Sequence, residues 1–209
     1  MSDMLDTAGA TAMLAAIAQA VIDQTDVLTD ADLAIGDGDH GVGMRRGFEA
    51  TLEALKTPPE TIDAAFKAAG TAIMGQTGGA AGAIFGTLFR SGAKAFAGRD
   101  SIDGPAFAAF LEAGLEAVLK RGGVTEGQKT IIDALAPAAR AARAAGGSLA
   151  EVTAAAAQGA LDGVEATKAM VATTGKARSL GERSIGHPDP GAISVSLILV
   201  AARDFVAAA

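Results

Sequence analysis

Apolar residues recur along most of the chain at three- and four-residue spacing, and the runs stop where acids, glycines or prolines gather. Residues 8–24 set Met13, Leu14, Ile17, Val21 and Ile22 on one helical face, and the stretch from Asp23 to Asp32 turns acidic and reads as a loop. A second helix opens between His40 and Val42 and carries Met44, Phe48, Leu52 and Leu55. It stops at Pro58-Pro59, because proline lacks a backbone N–H and crowds the turn before it. Residues 60–75 predict a third helix with Ile62, Phe66, Ala69 and Ile73 inward. A fourth starts in Thr77-Gly-Gly-Ala-Ala-Gly82 and runs through Ile84, Phe85, Leu88 and Phe89 towards Phe96. Asp103 caps a fifth over 105–119, with Pro105 suited to the first turn, and the Arg121-Gly-Gly-Val124 joint closes it. Residues 128–145 form a sixth, Ser148 caps a seventh reaching about Ala172, a loop spans 173–189, and a last helix ends near Phe205. Ile193 to Val200 is apolar enough for a strand but follows an Asp-Pro-Gly helix start, so it reads as a buried helix. The pattern predicts an all-α domain of eight helices occupying residues 1–209, with no repeat and no linker.

Composition narrows the packing. Half the residues are hydrophobic but only 4% are aromatic, so helices must meet through small side chains rather than large rings. Without cysteine there is neither a disulfide framework nor a thiolate metal site. Acidic residues number 24 against 17 basic, a net charge of −7 that disfavours a phosphate backbone, so no nucleic-acid partner is expected. No stretch holds the ~18 uninterrupted apolar residues of a membrane span. The opening Met1-Ser-Asp-Met-Leu-Asp6 has two acids and no basic stretch before an apolar run, unlike a secretory signal, so the expected location is cytoplasmic.

The chemistry concentrates at the joints. Asp32, Asp37 and Asp39 lie within eight positions, around Gly36-Asp-Gly-Asp-His-Gly41. Like charges repel by about 1 kcal/mol at ~4 Å in water and by more where water is excluded, so such a cluster calls for a cation. All-oxygen ligands favour magnesium or calcium. The G-x-G-x-x-G spacing is not a dinucleotide fingerprint, since no strand precedes it and two acids sit where a pyrophosphate would lie. An EF-hand fails too: the twelfth position from Asp37 is Phe48, not a bidentate Glu. The glycine-rich start at 77–82 offers free N–H groups and a positive helix end to an anion, or else permits a tight helix crossing. Lys129, in Gly127-Gln-Lys-Thr130, reads as a surface residue. The 173–189 loop gathers Lys176, Arg178, Arg183 and His187 between glycines, a length and composition that favour function over mere connection. With two His, no Cys and no Ser in a nucleophile elbow, covalent nucleophilic catalysis is not expected.

Taken together, four blocks carry a resemblance: Gly36-Asp-Gly-Asp-His-Gly41 with Arg46-Gly-Phe48; Gly78-Gly-Ala-Ala-Gly82 with Phe85-Gly-Thr87; Lys129-Thr130 with Asp133-Ala-Leu135; and Leu180-Gly-Glu-Arg-Ser-Ile-Gly-His187 with Asp189-Pro-Gly-Ala192. In this order they resemble the nucleotide-binding L subunits of bacterial dihydroxyacetone kinases, similar to the C-terminal domain of the single-chain ATP-dependent enzymes. The resemblance implies a barrel of eight antiparallel helices with ADP or ATP and two Mg²⁺ ions at one end. By the same resemblance Asp32, Asp37 and Asp39 are the metal ligands. His40, Gly41, Val42, Gly43, Ala80, Ala81, Gly127, Asp189, Pro190 and Gly191 are nucleotide contacts, joined by Lys176 or Arg178 in the part of a family arginine. Ala81 stands where the family usually shows Ser, and Gln128 where it commonly shows Asp. The implied activity is phosphoryl transfer to dihydroxyacetone or a related small ketose bound covalently on a separate K subunit. The phosphoryl group comes either from exchanging ATP or from resident ADP recharged by a phosphotransferase-system M subunit. The alternative is a nucleotide-loaded regulatory module that docks on a transcription regulator.

Overall fold

A computed structural model describes residues 4–209 of the chain. Among them are nine α-helices: α1 (Thr7–Asp23), α2 (Thr25–Ile35), α3 (His40–Leu55), α4 (Ile62–Gln76), α5 (Gly79–Gly92), α6 (Gly104–Gly122), α7 (Ile132–Ala145), α8 (Leu149–Thr167) and α9 (Pro190–Ala208). Short 3₁₀ segments cover Ala93–Phe96 and Lys176–Ser184. No strand is present among the described residues. An isolated antiparallel bridge ties Leu5 to Ile102, with N···O distances of 3.0 and 2.7 Å.

Local chemistry starts the helices where polar side chains can satisfy their first N–H groups. Asp103 Oδ1 accepts from Ala106 N at 2.8 Å. Ser148 and Glu151 form a reciprocal capping box at α8, and Asp189 Oδ2 accepts from Ala192 N at 2.7 Å at α9. The acidic segment predicted as a loop is instead the ninth helix, α2. Its Leu28, Asp32 and Ile35 recur at helical spacing and are buried, while Asp26 and Asp30 face solvent. Two ends also move: α7 begins at Ile132 rather than 128, because the turn before it holds Lys129 at φ 61°, and α8 stops at Thr167 rather than near 172.

Packing follows chain order. Each of α3 to α8 touches its successor, α1 touches both α9 and α3, and the sequence of neighbours closes on itself, leaving α2 against α3, α9 and α1. The core holds a cluster of phenylalanines: Phe66 lies 4.7 Å from Phe96 and 5.0 Å from Phe110, centroid to centroid. Elsewhere small residues do the work predicted of them, as at α7 and α8, where Gly159 and Gly163 lie against the backbone of Pro137 to Ala138 and of Asp133 to Ala134. Helix α9 is apolar and long enough to cross a bilayer, with a mean hydropathy of 1.7. It is interrupted by Arg203-Asp204 and seats Val195, Leu199, Ala202 and Val206 in the core.

Candidate functional site

The connection between α2 and α3 gathers the three acids. Asp32 lies on the buried face of α2 and accepts a hydrogen bond from His40 N at 3.2 Å, which orients it toward the start of α3. Asp37 and Asp39 follow in the exposed turn, where Gly38 takes φ 78°. One oxygen from each of the three carboxylates falls within 4.8 Å of the others. The Lys176 ammonium reaches the same group from the 3₁₀ segment, donating to Asp37 and, at 3.0 Å, to Asp39. Its hydrogen bond and charge hold the Asp37 carboxyl below the usual range, and the two acids push Lys176 up.

His40 shows how the first turn of α3 is fixed. Its Nε2 lies 2.8 Å from Ser194 Oγ, and that hydroxyl donates its single proton to Pro190 O at 3.1 Å. Burial holds the imidazole below its ordinary pKa against the opposing pull of Asp32 and Asp39, so the ring is neutral near pH 7.

Beside the acids opens a cavity of about 360 Å³. The first residues of α3, α5 and α9, namely His40, Gly79 and Pro190, all line it, so three positive helix ends meet at one space; Asp32 and Asp189 already accept from His40 N and Ala192 N, and of the three α5 alone starts without a side-chain cap on its amides. Gly78 and Gly79 reach α5 at φ 80° and 55°, conformations that glycine adopts without strain. Ile35, Ile84, Phe85 and Ile131 add an apolar wall. A space with an anion-binding floor, an apolar side and an acidic, cation-seeking mouth can hold a flat apolar group joined to phosphates.

Of the residues predicted from sequence, Asp32, Asp39, His40, Gly43, Ala80, Ala81, Lys176, Asp189, Pro190 and Gly191 line this cavity, and Asp37 adjoins it through the carboxylate cluster. Four are placed elsewhere. Gly41 packs on Thr25 and Thr29 of α2, Val42 is partly exposed, and Gly127 donates to Asp133 Oδ1 at 2.5 Å. Arg178 is exposed, so of the two cations weighed for one role it is Lys176 that lines the cavity. Lys129, predicted on the surface, is 2% exposed and borders the cavity. Its ammonium donates to Thr167 O and His187 O, each at 2.6 Å, and to Met170 O at 3.2 Å, which satisfies a charge that burial alone would expel. Sequence reasoning also passed over Arg46, which lines the cavity and donates to Thr77 O at 3.2 Å. Its position one turn beyond Gly43 was the available signal.

Asp189 completes the edge. Burial, aided by Asp133, pushes its carboxyl up to about 7 against the stabilising Ala192 N–H and the Lys129 charge. Asp189 N in turn donates to Thr167 Oγ1 at 3.0 Å, which ties the start of α9 to the end of α8.

The all-helical fold is that of a known family: the chain belongs to the DAK2 domain family, which matches residues 34–204. Within it the chain is 40% identical over 180 residues to the ADP-binding subunit DhaL of PEP-dependent dihydroxyacetone kinase 1 of Listeria innocua, covering 85% of this chain and 86% of that one. It is 35% identical to the ADP-binding subunit DhaL of the Escherichia coli PEP-dependent enzyme, covering 84% and 86%. An L-erythrulose 1-kinase of Mycolicibacterium smegmatis is 34% identical over 91% of this chain, which spans 34% of that longer protein. Among solved structures, the dihydroxyacetone kinase of C. freundii in complex with AMP-PNP and Mg²⁺ superposes with a TM-score of 0.73 at 23% identity, over 93% of this chain and 33% of that one. The last likeness establishes the fold.

Proposed function

We propose that this chain is the nucleotide- and Mg²⁺-binding subunit of a ketose kinase, and that it presents a phosphoryl group to dihydroxyacetone or a related small ketose held on a separate K subunit. The observation that carries the reading is the meeting of three carboxylates within 4.8 Å at the mouth of a cavity lined by three helix N-termini. The donor set fits Mg²⁺: the oxygens are hard and mutually repelling, and a side-chain cation already bridges two of them. Asp32, Asp37 and Asp39 would hold two such ions, which would supply charge neutralisation for a bound nucleotide's phosphates. The names of the two bacterial relatives support ADP as the resident nucleotide, and the erythrulose kinase supports a four-carbon ketose as an acceptor alongside dihydroxyacetone.

The chain's own residues have distinct parts in this reading. The first-turn N–H groups of α5 at Ala80 and Ala81 receive phosphate oxygens, with the amide of Ala81 serving where the family's serine would add a hydroxyl. His40, neutral and locked through Ser194, holds Asp32 by its backbone N–H and leaves its ring against Phe85, 6.3 Å away. Ile84, Phe85 and Ile131 enclose the base, and Asp189, Pro190 and Gly191 border the sugar. Arg46 and Lys176, both lining the cavity, bring positive charge to the phosphates. Phosphoryl transfer asks for positioning and electrostatics rather than a covalent nucleophile.

Titration calorimetry with ADP should give tight binding only with Mg²⁺, and D37N/D39N should abolish it with the circular dichroism spectrum unchanged. Mixing the chain with a competent K subunit, Mg²⁺, a small ketose and each donor in turn, ATP or an M subunit charged by its phosphotransferase system, should yield ketose phosphate. Its absence with every donor refutes the reading. Protein purified without added nucleotide should retain about one ADP per chain if the nucleotide is recharged in place by an M subunit, and little if ATP exchanges.

A further inference from the structure

The 168–189 segment leaves the end of α8 and returns to the start of α9, where Asp189 N–H donates to Thr167 Oγ1 at 3.0 Å. Its middle, Thr174 to Ala177, lines the cavity and delivers Lys176 to the acidic cluster, while Asp189 at its end starts α9. A segment this long needs its neck held if the middle is to keep one position. The neck is held by Lys129. Its ammonium bonds Thr167 O at the end of α8, Met170 O just beyond, and His187 O two residues before Asp189, so both sides of the neck are tied to one buried charge. Gly186 N–H donates across the same neck to Lys168 O at 2.7 Å, and Ala172 N–H to Ser184 Oγ at 2.9 Å.

Lys129 is held in place in turn. It is the one described non-glycine residue at positive φ, and its turn is clamped by Asp133, whose carboxylate accepts from Gly127 N at 2.5 Å and Thr130 N at 2.8 Å. A lysine forced into the left-handed region persists where the surroundings over-determine it. An ammonium has three protons, and all three are committed to carbonyls, so none is left for a phosphate although the residue borders the cavity.

We propose that Lys129 is a positioning residue, whose ammonium closes the neck of the 168–189 segment and so sets the two cavity edges at Thr174–Ala177 and Asp189–Gly191 without itself touching the nucleotide. The inference rests on the cavity being the nucleotide site.

The test is Lys129→Met, which keeps length and bulk but leaves three carbonyls without a donor. Hydrogen exchange of amides 170–187 should accelerate while α3 to α6 keep their protection, and affinity for Mg²⁺-ADP should fall about tenfold or more, as when a residue that orients ligands is removed. The chain has no cysteine, so Lys129→Cys provides a single thiol. Aminoethylation of that thiol in denaturant, followed by refolding, rebuilds an ammonium at the same atom count, and should restore both protection and affinity. Should Lys129→Met not refold, Lys129→Arg bears the same expectation, because a planar guanidinium cannot aim three protons at the same carbonyls. Wild-type loop protection and affinity in the tested variant, or no recovery on aminoethylation, overturns the proposal. Failure of the nucleotide reading is distinguished by the parent protein: if it binds no Mg²⁺-ADP, that reading falls, and loop exchange alone decides the clamp.

Discussion

The contact between α7 and α8 allows a prediction whose sign can be worked from the backbone. Pro137 lies inside α7 and has no N–H to give the carbonyl of Asp133, four residues earlier. Gly163 of α8 settles on that carbonyl. A Cβ at position 163 would overlap Asp133 O and stand 2.7 Å from Ala134 Cα and 3.0 Å from Asp133 C. All three are main-chain atoms, so no side chain can rotate away and the helices must part. Overpacking of this kind costs ~1–3 kcal/mol, and a rigid backbone neighbour puts Gly163→Ala at the upper end, about 3. Alanine's better helix propensity returns ~1 kcal/mol, leaving about 2 kcal/mol of destabilisation. In a domain of this size that lowers the melting temperature by about 4–8 °C. Gly75 in α4 supplies the control, because a Cβ there meets nothing within 4 Å. Gly75→Ala keeps only the propensity gain, ~0.5–1 kcal/mol, and should melt about 1–4 °C higher. Scanning calorimetry on the two variants, backed by urea midpoints, reads both signs. A Gly163→Ala protein as stable as the parent would refute the close-packing argument.

Two further outcomes follow from single groups. Asp189 is raised to about 7 by burial, while an unfolded Asp titrates near 4, so the native state binds this proton more tightly. Its contribution to stability is therefore complete below pH ~4 and lost as pH rises to about 7; D189N keeps a capping oxygen for Ala192 and should flatten urea midpoints across that window, and an unchanged slope would show the carboxyl ionised throughout. Ser148→Ala removes the hydroxyl half of the α8 capping box and should cost about 1 kcal/mol, or roughly 2–4 °C by thermal melt, with no change in Mg²⁺-ADP affinity because α8 begins far from the cavity in chain and contacts.

What could be read in advance depended on how far each interaction reaches along the chain. Asp103 and Ser148 cap helices through bonds to residues three positions on, so their roles were visible as local spelling. The carboxylate cluster was legible for the same reason, since Asp32, Asp37 and Asp39 are close in sequence as well as in space. Helix α2 escaped because Asp32 was counted as a polar residue, breaking a Leu28, Asp32, Ile35 stripe that is helical once the Asp is allowed inside. Lys129 escaped because its acceptors lie 38, 41 and 58 residues away, and nothing local marks a lysine that will sit at positive φ. The choice between Lys176 and Arg178 needed a contact spanning 139 residues, from the 3₁₀ segment back to the acidic turn. Family resemblance bridged some of these gaps by importing the outcome of folding, but it offered both cations for a single role.

Under the proposed function, Asp32 joins fold and site most tightly. It occupies a core position on α2 between Leu28 and Ile35, where an apolar side chain would pack at no desolvation cost. It receives one hydrogen bond, from His40 N, and one backbone donor is little compensation for a mostly enclosed carboxylate. Asp37 and Asp39 nearby add like charge rather than relief, and Lys176 reaches those two from the exposed side. A stability-driven sequence would not keep three acids in this arrangement. On the proposed reading a divalent cation would offset this repulsion, and the turn from α2 into α3 would become more stable as the ion binds. Mg²⁺ should accordingly slow hydrogen exchange at residues 36–41 in the absence of nucleotide, with no such protection in D37N/D39N. Equal exchange with and without the ion would remove the electrostatic reason for placing it there.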